Sequence, residues 1–271
     1  MKLCNKNLSD STIEKYKREL HKMVEFLSDE GVTDVENVIS LHLEKYNVLM
    51  IKNGNKPTTR ARKKSIISNF FEYCFNHKFV NENPAKLLHS IKVTDQDQQR
   101  KETLTEKEAA RFMSAVEKDS RKKDRNKLII VLFLKCAIRV KELTHLKWDH
   151  IDFKKERIEI HGKGRKIRFV PIFPELDKAL KNWKRNNKQK SEYLIPSKDP
   201  KKPITERAVL GMVKLYAKKA RIKKNIGCHS LRATAATDYL RKGVNPRYIQ
   251  ILLGHSNIAT TTRYMSPEES E

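Results

Sequence analysis

Apolar residues recur every three to four positions through most of this chain, and the stripes they draw belong to helices. In "STIEKYKRELHKMVEFL", Ile13, Tyr16, Leu20, Met23, Val24 and Leu27 share one side of a helical cylinder. Ser11 or Thr12 stands where a side-chain oxygen would cap its first turn. "TTRARKKSIISNFFEYCF" repeats the design, with Ile66, Ile67, Phe70, Phe71 and Cys74 inward and Arg60, Arg62, Lys63 and Lys64 outward in the first turns. Pro84 in "NENPAKLL" then turns the chain.

The period is lost over residues 91–104, "IKVTDQDQQRKETL", a polar stretch without apolar rhythm. A linker at 93–104 is expected there, between a helical domain of residues 1–92 and a second domain of residues 105–271. The second domain opens on T-E-K-E, which pairs Thr105 with Glu108 as a capping box. "KLIIVLFLKCAI" is apolar almost throughout and too long for a strand, so it predicts a buried helix. The period then shortens to two. Ile158 and Ile160 share a face of "RIEIH", Ile167 and Phe169 share a face of "KIRFV", and the turn "GKGR" between them presents Lys163 at a hairpin tip. Helices are expected around 174–187, 204–221, 230–242 and 245–253. The fold class is mainly α with a small β-sheet.

Charge narrows the partners. The formal net charge is +25 over 271 residues. Residues 1–100 carry 17 Lys+Arg against 13 Asp+Glu, so most of the excess lies in the second domain. That surface favours a polyanion, nucleic acid ahead of an acidic membrane. No stretch is apolar for long enough to cross a bilayer, and the N-terminus lacks the apolar centre of a signal peptide. Cys4, Cys74, Cys136 and Cys228 are scattered without a C-x-x-C pair, which predicts reduced thiols in a cytoplasmic, nucleoid-associated protein rather than disulfides or a zinc site.

Four placements suggest chemistry. Arg139 directly follows the apolar run, where a charge is costly unless it snorkels to water or pairs, for example with Glu142. His229 and Arg232 lie three apart and share a helix face. His255 follows Gly254 at a helix end. Tyr264 stands beside Arg263, seven residues before the last.

Together these segments resemble the tyrosine recombinases of the phage-integrase and Xer type. "CAIRVKELTHLKWDHID" resembles that family's first arginine box, "GKGRKIRFVPI" its lysine hairpin, and "HSLRATAATDYLRKGVNPRYIQILLGHSNIATTTRY" its H-x-x-R, G-H and tyrosine boxes, in order. The N-terminal half resembles the family's helical, SAM-like core-binding domain. The resemblance implies that this domain joins an α+β tyrosine-recombinase catalytic domain. It implies that Arg139 and Arg232 grip a scissile phosphate, Lys163 protonates the leaving 5′-oxygen, and His229 assists proton transfer at the nucleophile. His255 would hydrogen-bond a non-bridging oxygen, and Tyr264 would form a 3′-phosphotyrosine link.

The residue types suit that chemistry. Guanidiniums are planar and permanently charged, so they match the oxygens of a phosphoryl transition state. A phenol with an ordinary pKa of about 10 needs cationic neighbours and a base to act as nucleophile. No cofactor and no metal is expected, since arginines supply the charge that Mg²⁺ supplies elsewhere. Expected partners are double-stranded DNA bearing a specific recombination site and further copies of the chain, a dimer per site and a tetramer in the synapse, with no membrane. Arg60, Arg62, Lys63, Lys64, Lys166 and Arg168 are the expected DNA contacts. Competing readings are a type IB topoisomerase-like nicking and resealing activity and a non-catalytic DNA-binding relative.

Three departures from the family pattern stand out, one of them Ala233, which follows Arg232 where the family often has His. Ala137 replaces a customary Gly, and would be strained if that position needs positive φ. The segment "MSPEESE" after Tyr264 is short for docking onto a neighbouring protomer, which leaves the manner of protomer coupling open.

Overall fold

The computed structural model describes residues 10–94, 102–119, 122–162 and 166–254, apart from the side chain of Ser11. Lys163, His255 and Tyr264 lie outside the described residues. The chain divides into two compact units, Met1–Arg100 and Lys101–Glu271.

The first unit is built from α1 (Asp10–Asp29), α2 (Ser40–Lys52) and α3 (Pro57–Asn76), with a turn after Pro84. Met23 and Leu27 of α1, Leu43, Tyr46 and Met50 of α2, and Ile67 and Phe71 of α3 form its core. α1 already contains Ser11 and Thr12, so neither is its cap. Val24, expected inward, is 51% exposed, because the buried side of α1 runs through Glu19, Met23 and Leu27.

That stripe explains the fate of the four basic residues expected to face outward on α3. Lys63 is one helical turn before Ile67 and two before Phe71, so it lies on the core side. There it meets Glu19 of α1, one turn before Met23, with Nζ 3.3 Å from Oε2 and both side chains nearly covered. Lys64 Nζ donates to the Leu88 and His89 carbonyls, both at 2.7 Å. Arg60 donates to Asn47 at 3.3 Å and is half-buried. Only Arg62 of the four is exposed.

The second unit is organised around α5 (Lys123–Cys136), whose residues Leu128–Phe133 are all fully buried. α4 (Glu106–Glu117), α7 (Pro174–Asn186) and α9 (Cys228–Arg241) pack against it, and α8 (Glu206–Lys219) packs on α4 and α9. The Thr105–Glu108 capping box forms as expected, and Lys224 adds a bond to the same Glu108 carboxylate at 2.6 Å. Leu104, at the end of the stretch read as linker, is buried in this unit's core.

The sheet has three antiparallel strands in the order β1 (Ile151–Asp152), β2 (Arg157–His161) and β3 (Ile167–Pro171). Register pairs Ile158 with Val170 and Ile160 with Arg168, so those residues take the inner face. Ile167 and Phe169 do share a face, but it is the outer one. Both are exposed, and the Arg157 guanidinium covers the Phe169 ring at 4.1 Å. α10 (Pro246–Leu253) packs on β3 and α9, and α6 (Val140–Thr144) packs on α8.

The buried Lys63–Glu19 pair yields a test. Lys63→Ala leaves the covered Glu19 with only the exposed Arg18, 4.0 Å away, and should cost about 3 kcal/mol in urea unfolding. Replacing both residues with Met should restore most of that loss. A double variant as unstable as the single one would contradict the assignment.

Candidate active site

The site forms where α5 ends. Its C-cap, Ala137, is left-handed at φ 48, the strained conformation that the missing Gly raised as a concern. Its methyl is fully buried among Ala235, Ala236, Ile249 and Leu253, and this packing offsets the strain. The turn frees the Ala137 carbonyl, which accepts from Arg232 Nη1 at 2.6 Å, and starts α6 immediately afterwards.

Arg139 is the residue before α6, and Glu142 is its third helical position. The Glu142 carboxylate folds back to accept from the Arg139 backbone N–H at 2.7 Å and from Arg139 Nη1 at 2.8 Å. The pairing of Arg139 with Glu142 considered from sequence is therefore real. It is also one part of a larger cluster. Arg168, reaching from β3, donates from Nη1 and Nη2 to the two Glu142 oxygens, each at 2.8 Å. Arg232, from the first turns of α9, stands 3.9 Å from the same carboxylate.

The three arginines also converge on the end of α10. The last carbonyls of a helix lack intrahelical partners and carry the negative end of its dipole. Arg168 Nε donates to Leu252 O at 2.8 Å, Arg232 Nη2 to Leu253 O at 2.5 Å, and Arg139 Nη2 to Gly254 O at 3.1 Å. Three successive carbonyls thus receive three different guanidiniums. Gly254 is left-handed at φ 61, and an added Cβ there would stand 3.1 Å from Arg168 Nη1. Both facts reserve the position for glycine.

Three cations share one carboxylate, an excess of two positive charges. The side chains of Arg168, Arg232 and Glu142 are 9%, 4% and 4% exposed, whereas that of Arg139 is 34% exposed. The cluster therefore opens to solvent on the Arg139 side. Burial pushes the Glu142 carboxyl up, but the hydrogen bonds and charge of Arg168, with the bonds from Arg139, outweigh it and hold the group at about 2. An anion entering this opening would meet fixed donors and uncompensated positive charge.

His229 is exposed on the first turn of α9, one turn before Arg232. Lys166 is exposed at the foot of β3, where Gly162 N donates to Lys166 O at 2.7 Å. Arg168, expected on DNA phosphates, is instead covered, with all three guanidinium nitrogens bonded inside the protein. Glu142 was met in the sequence only as a partner for Arg139. No sequence signal linked it to Arg168 or Arg232, which lie far along the chain. Among the described residues, no group of three or more His, Cys, Asp or Glu could hold a metal ion, and no helix is long and apolar enough to cross a membrane.

Glu142→Gln should destabilise the second unit by about 3 kcal/mol or more, since it strips buried Arg168 of its counter-charge. The carboxyl is held below its ordinary value of 4.5, so its contribution is full above pH 4.5 and disappears as pH falls toward 2. In thermal melts the gap between parent and variant should be widest near pH 7 and narrow toward pH 3. A gap independent of pH would contradict the pairing.

Comparison with known proteins places this geometry. The sequence model of the phage integrase family matches residues 102–271, and that of the phage integrase N-terminal SAM-like domain matches residues 3–78. Tyrosine recombinase XerC of Thermodesulfovibrio yellowstonii is 31% identical over 266 residues, covering 94% of this chain and 85% of the relative. A tyrosine recombinase of Pseudothermotoga lettingae is 32% identical over 270 residues, covering 98% of this chain and 91% of the relative. Among solved structures, the Tn1549 transposon integrase in complex with a circular intermediate DNA has the same fold, with a TM-score of 0.79 at 21% identity over 96% of this chain and 90% of that one. The chain belongs to the phage integrase family, the tyrosine recombinases.

Proposed function

We propose that this protein is a site-specific DNA recombinase that cuts and rejoins duplex DNA through a covalent tyrosine–phosphate link, with no cofactor. The observation that carries this reading is the convergence of Arg139 and Arg232, from separate elements, on one carboxylate, Glu142, in a cluster with excess positive charge that opens to solvent on the Arg139 side. Within it, the two guanidiniums bind the non-bridging oxygens of the scissile phosphate and stabilise the charge that builds during attack. The Tyr264 oxygen forms a bond to phosphorus as the bond to the 5′-oxygen breaks. His229 takes the phenol proton, Lys163 gives a proton to the leaving 5′-oxygen, and His255 donates to a non-bridging oxygen. The phosphotyrosine bond keeps the energy of the phosphodiester. A 5′-hydroxyl from a partner strand then attacks it, restores the DNA backbone and releases tyrosine. Two such exchanges pass through a Holliday junction and need no ATP.

The partners follow from the reaction. One duplex site takes a dimer, and two sites are joined by a tetramer. The name of the XerC relative and the DNA in the Tn1549 integrase complex support this reading. The N-terminal domain, residues 1–92, grips DNA beside the cleavage point, with exposed Arg62 as the residue of its basic set placed to touch a phosphate. Lys166 serves the same purpose at the hairpin. Acting on DNA, the protein works at the nucleoid.

Incubation with a nicked suicide substrate should trap protein on DNA in a denaturing gel. Tyr264→Phe should bind DNA as the parent does and give no trapped product. A full yield from that variant would remove Tyr264 from its role. Efficient relaxation of supercoiled plasmid lacking a specific site would instead favour a topoisomerase-like activity. DNA affinity should also fall steeply with salt, by a log–log slope of about −0.9 for each phosphate neutralised. A flat salt response would contradict phosphate-led binding.

A further inference from the structure

Arg168 occupies an improbable position. Its register partner is Ile160, and its neighbours on the inner face of the sheet, Ile158, Ile160 and Val170, are buried apolar residues. A guanidinium there costs several kcal/mol unless its charge and donors are matched. They are matched completely: two nitrogens bind the two oxygens of Glu142, and the third binds the Leu252 carbonyl. The Arg168 side chain also lies directly against the Gly254 backbone, where a Cβ would stand 3.2 Å from its Cδ.

We propose that Arg168 is a positioning residue: it locks Glu142 in place, so that Arg139, on the open side of the cluster, stays available to phosphate, and it ties β3 to the end of α10. Three geometric facts support this. Arg168 lies on β3, five positions after Lys163 in the sequence. It caps the carbonyl of Leu252, three positions before His255. It holds both oxygens of the one carboxylate that Arg139 and Arg232 also approach. Without Arg168, Glu142 has only those two arginines to pair with. One positive charge meant for the phosphate is then spent inside the protein, and the excess drops from two charges to one. Lysine cannot substitute, because a single ammonium does not present three fixed, coplanar donors to two carboxylate oxygens and a carbonyl.

This inference rests on the roles proposed for Arg139 and Arg232, and the test separates the two. Single-turnover cleavage of a nicked suicide substrate is measured at saturating DNA and expressed per DNA-bound molecule. The parent, Arg168→Lys and Arg168→Ala are compared, with DNA affinity and melting temperature recorded for each. Arg168→Lys should bind DNA with nearly parental affinity and cleave about 10- to 100-fold more slowly, the loss expected from a misplaced phosphate grip. Millimolar guanidinium should restore part of the lost rate in Arg168→Ala, while NaCl at equal ionic strength should not. A contribution to folding alone would not respond in this way. Should Arg168→Ala melt below the assay temperature, Arg168→Lys decides the matter. A loss under tenfold in Arg168→Lys overturns the proposal, as does a folded Arg168→Ala that guanidinium fails to rescue. If the parent itself forms no adduct, the reading of the whole site fails and takes this inference with it.

Discussion

One carboxylate under three guanidiniums governs the rest of the second unit. Glu142 joins the start of α6, the inner face of β3 and the start of α9, and none of these elements is close to the others in sequence. Each arginine also caps a carbonyl at the end of α10. The cluster thus fixes four elements with charge-assisted bonds in a poorly solvated place. Apolar packing could hold them as well, and a purely apolar junction is often at least as stable as a buried ionic one. The ionic junction does something that packing cannot, since it leaves positive charge over.

That surplus links fold to chemistry. An acid beside each arginine would neutralise the pocket and leave nothing for an incoming phosphate. One shared acid orients all three side chains and still presents a net attraction through the opening at Arg139. The donors are set before any ligand arrives, so little reorganisation is needed when charge develops on a phosphoryl group. The end of α10 contributes too. Its carbonyls steady the guanidiniums without removing any of their charge, and Gly254 allows the contact because it carries no Cβ. Ala137 shows how tightly the place is built: its backbone is strained, yet its methyl is packed on all sides.

Much of this was legible in the sequence. The apolar run of α5, the Thr105 capping box, the paired strands β2 and β3 and the last four helices all followed from periodicity and turn residues. Arg139 stood out as a charge beside an apolar run, and Arg232 as a residue sharing a helix face with His229. What was not legible is which face is covered. Alternation placed Ile167 and Phe169 together and Arg168 opposite, but it could not say that the apolar pair faces water. Lys63 fell in the core stripe of α3, one turn from Ile67, and its exposure was misjudged because Glu19 waits on another helix. Both errors share a cause. A buried base is read as a surface base until its acid is located, and that acid is set by tertiary packing. The roles of Lys163, His255 and Tyr264 rest on motif order.

The most direct measurement removes charge from the DNA rather than from the protein. A suicide substrate carrying a neutral methylphosphonate at the scissile position asks the arginines to stabilise one negative charge fewer. With an ordinary phosphate, Arg139→Ala should slow cleavage by about 10²–10³-fold, the usual penalty for a lost oxyanion donor. With the methylphosphonate, the same substitution should cost far less, because the charge it served is gone. An equal loss on both substrates would mean that Arg139 does not meet the phosphate, and that the surplus charge around Glu142 serves some other purpose.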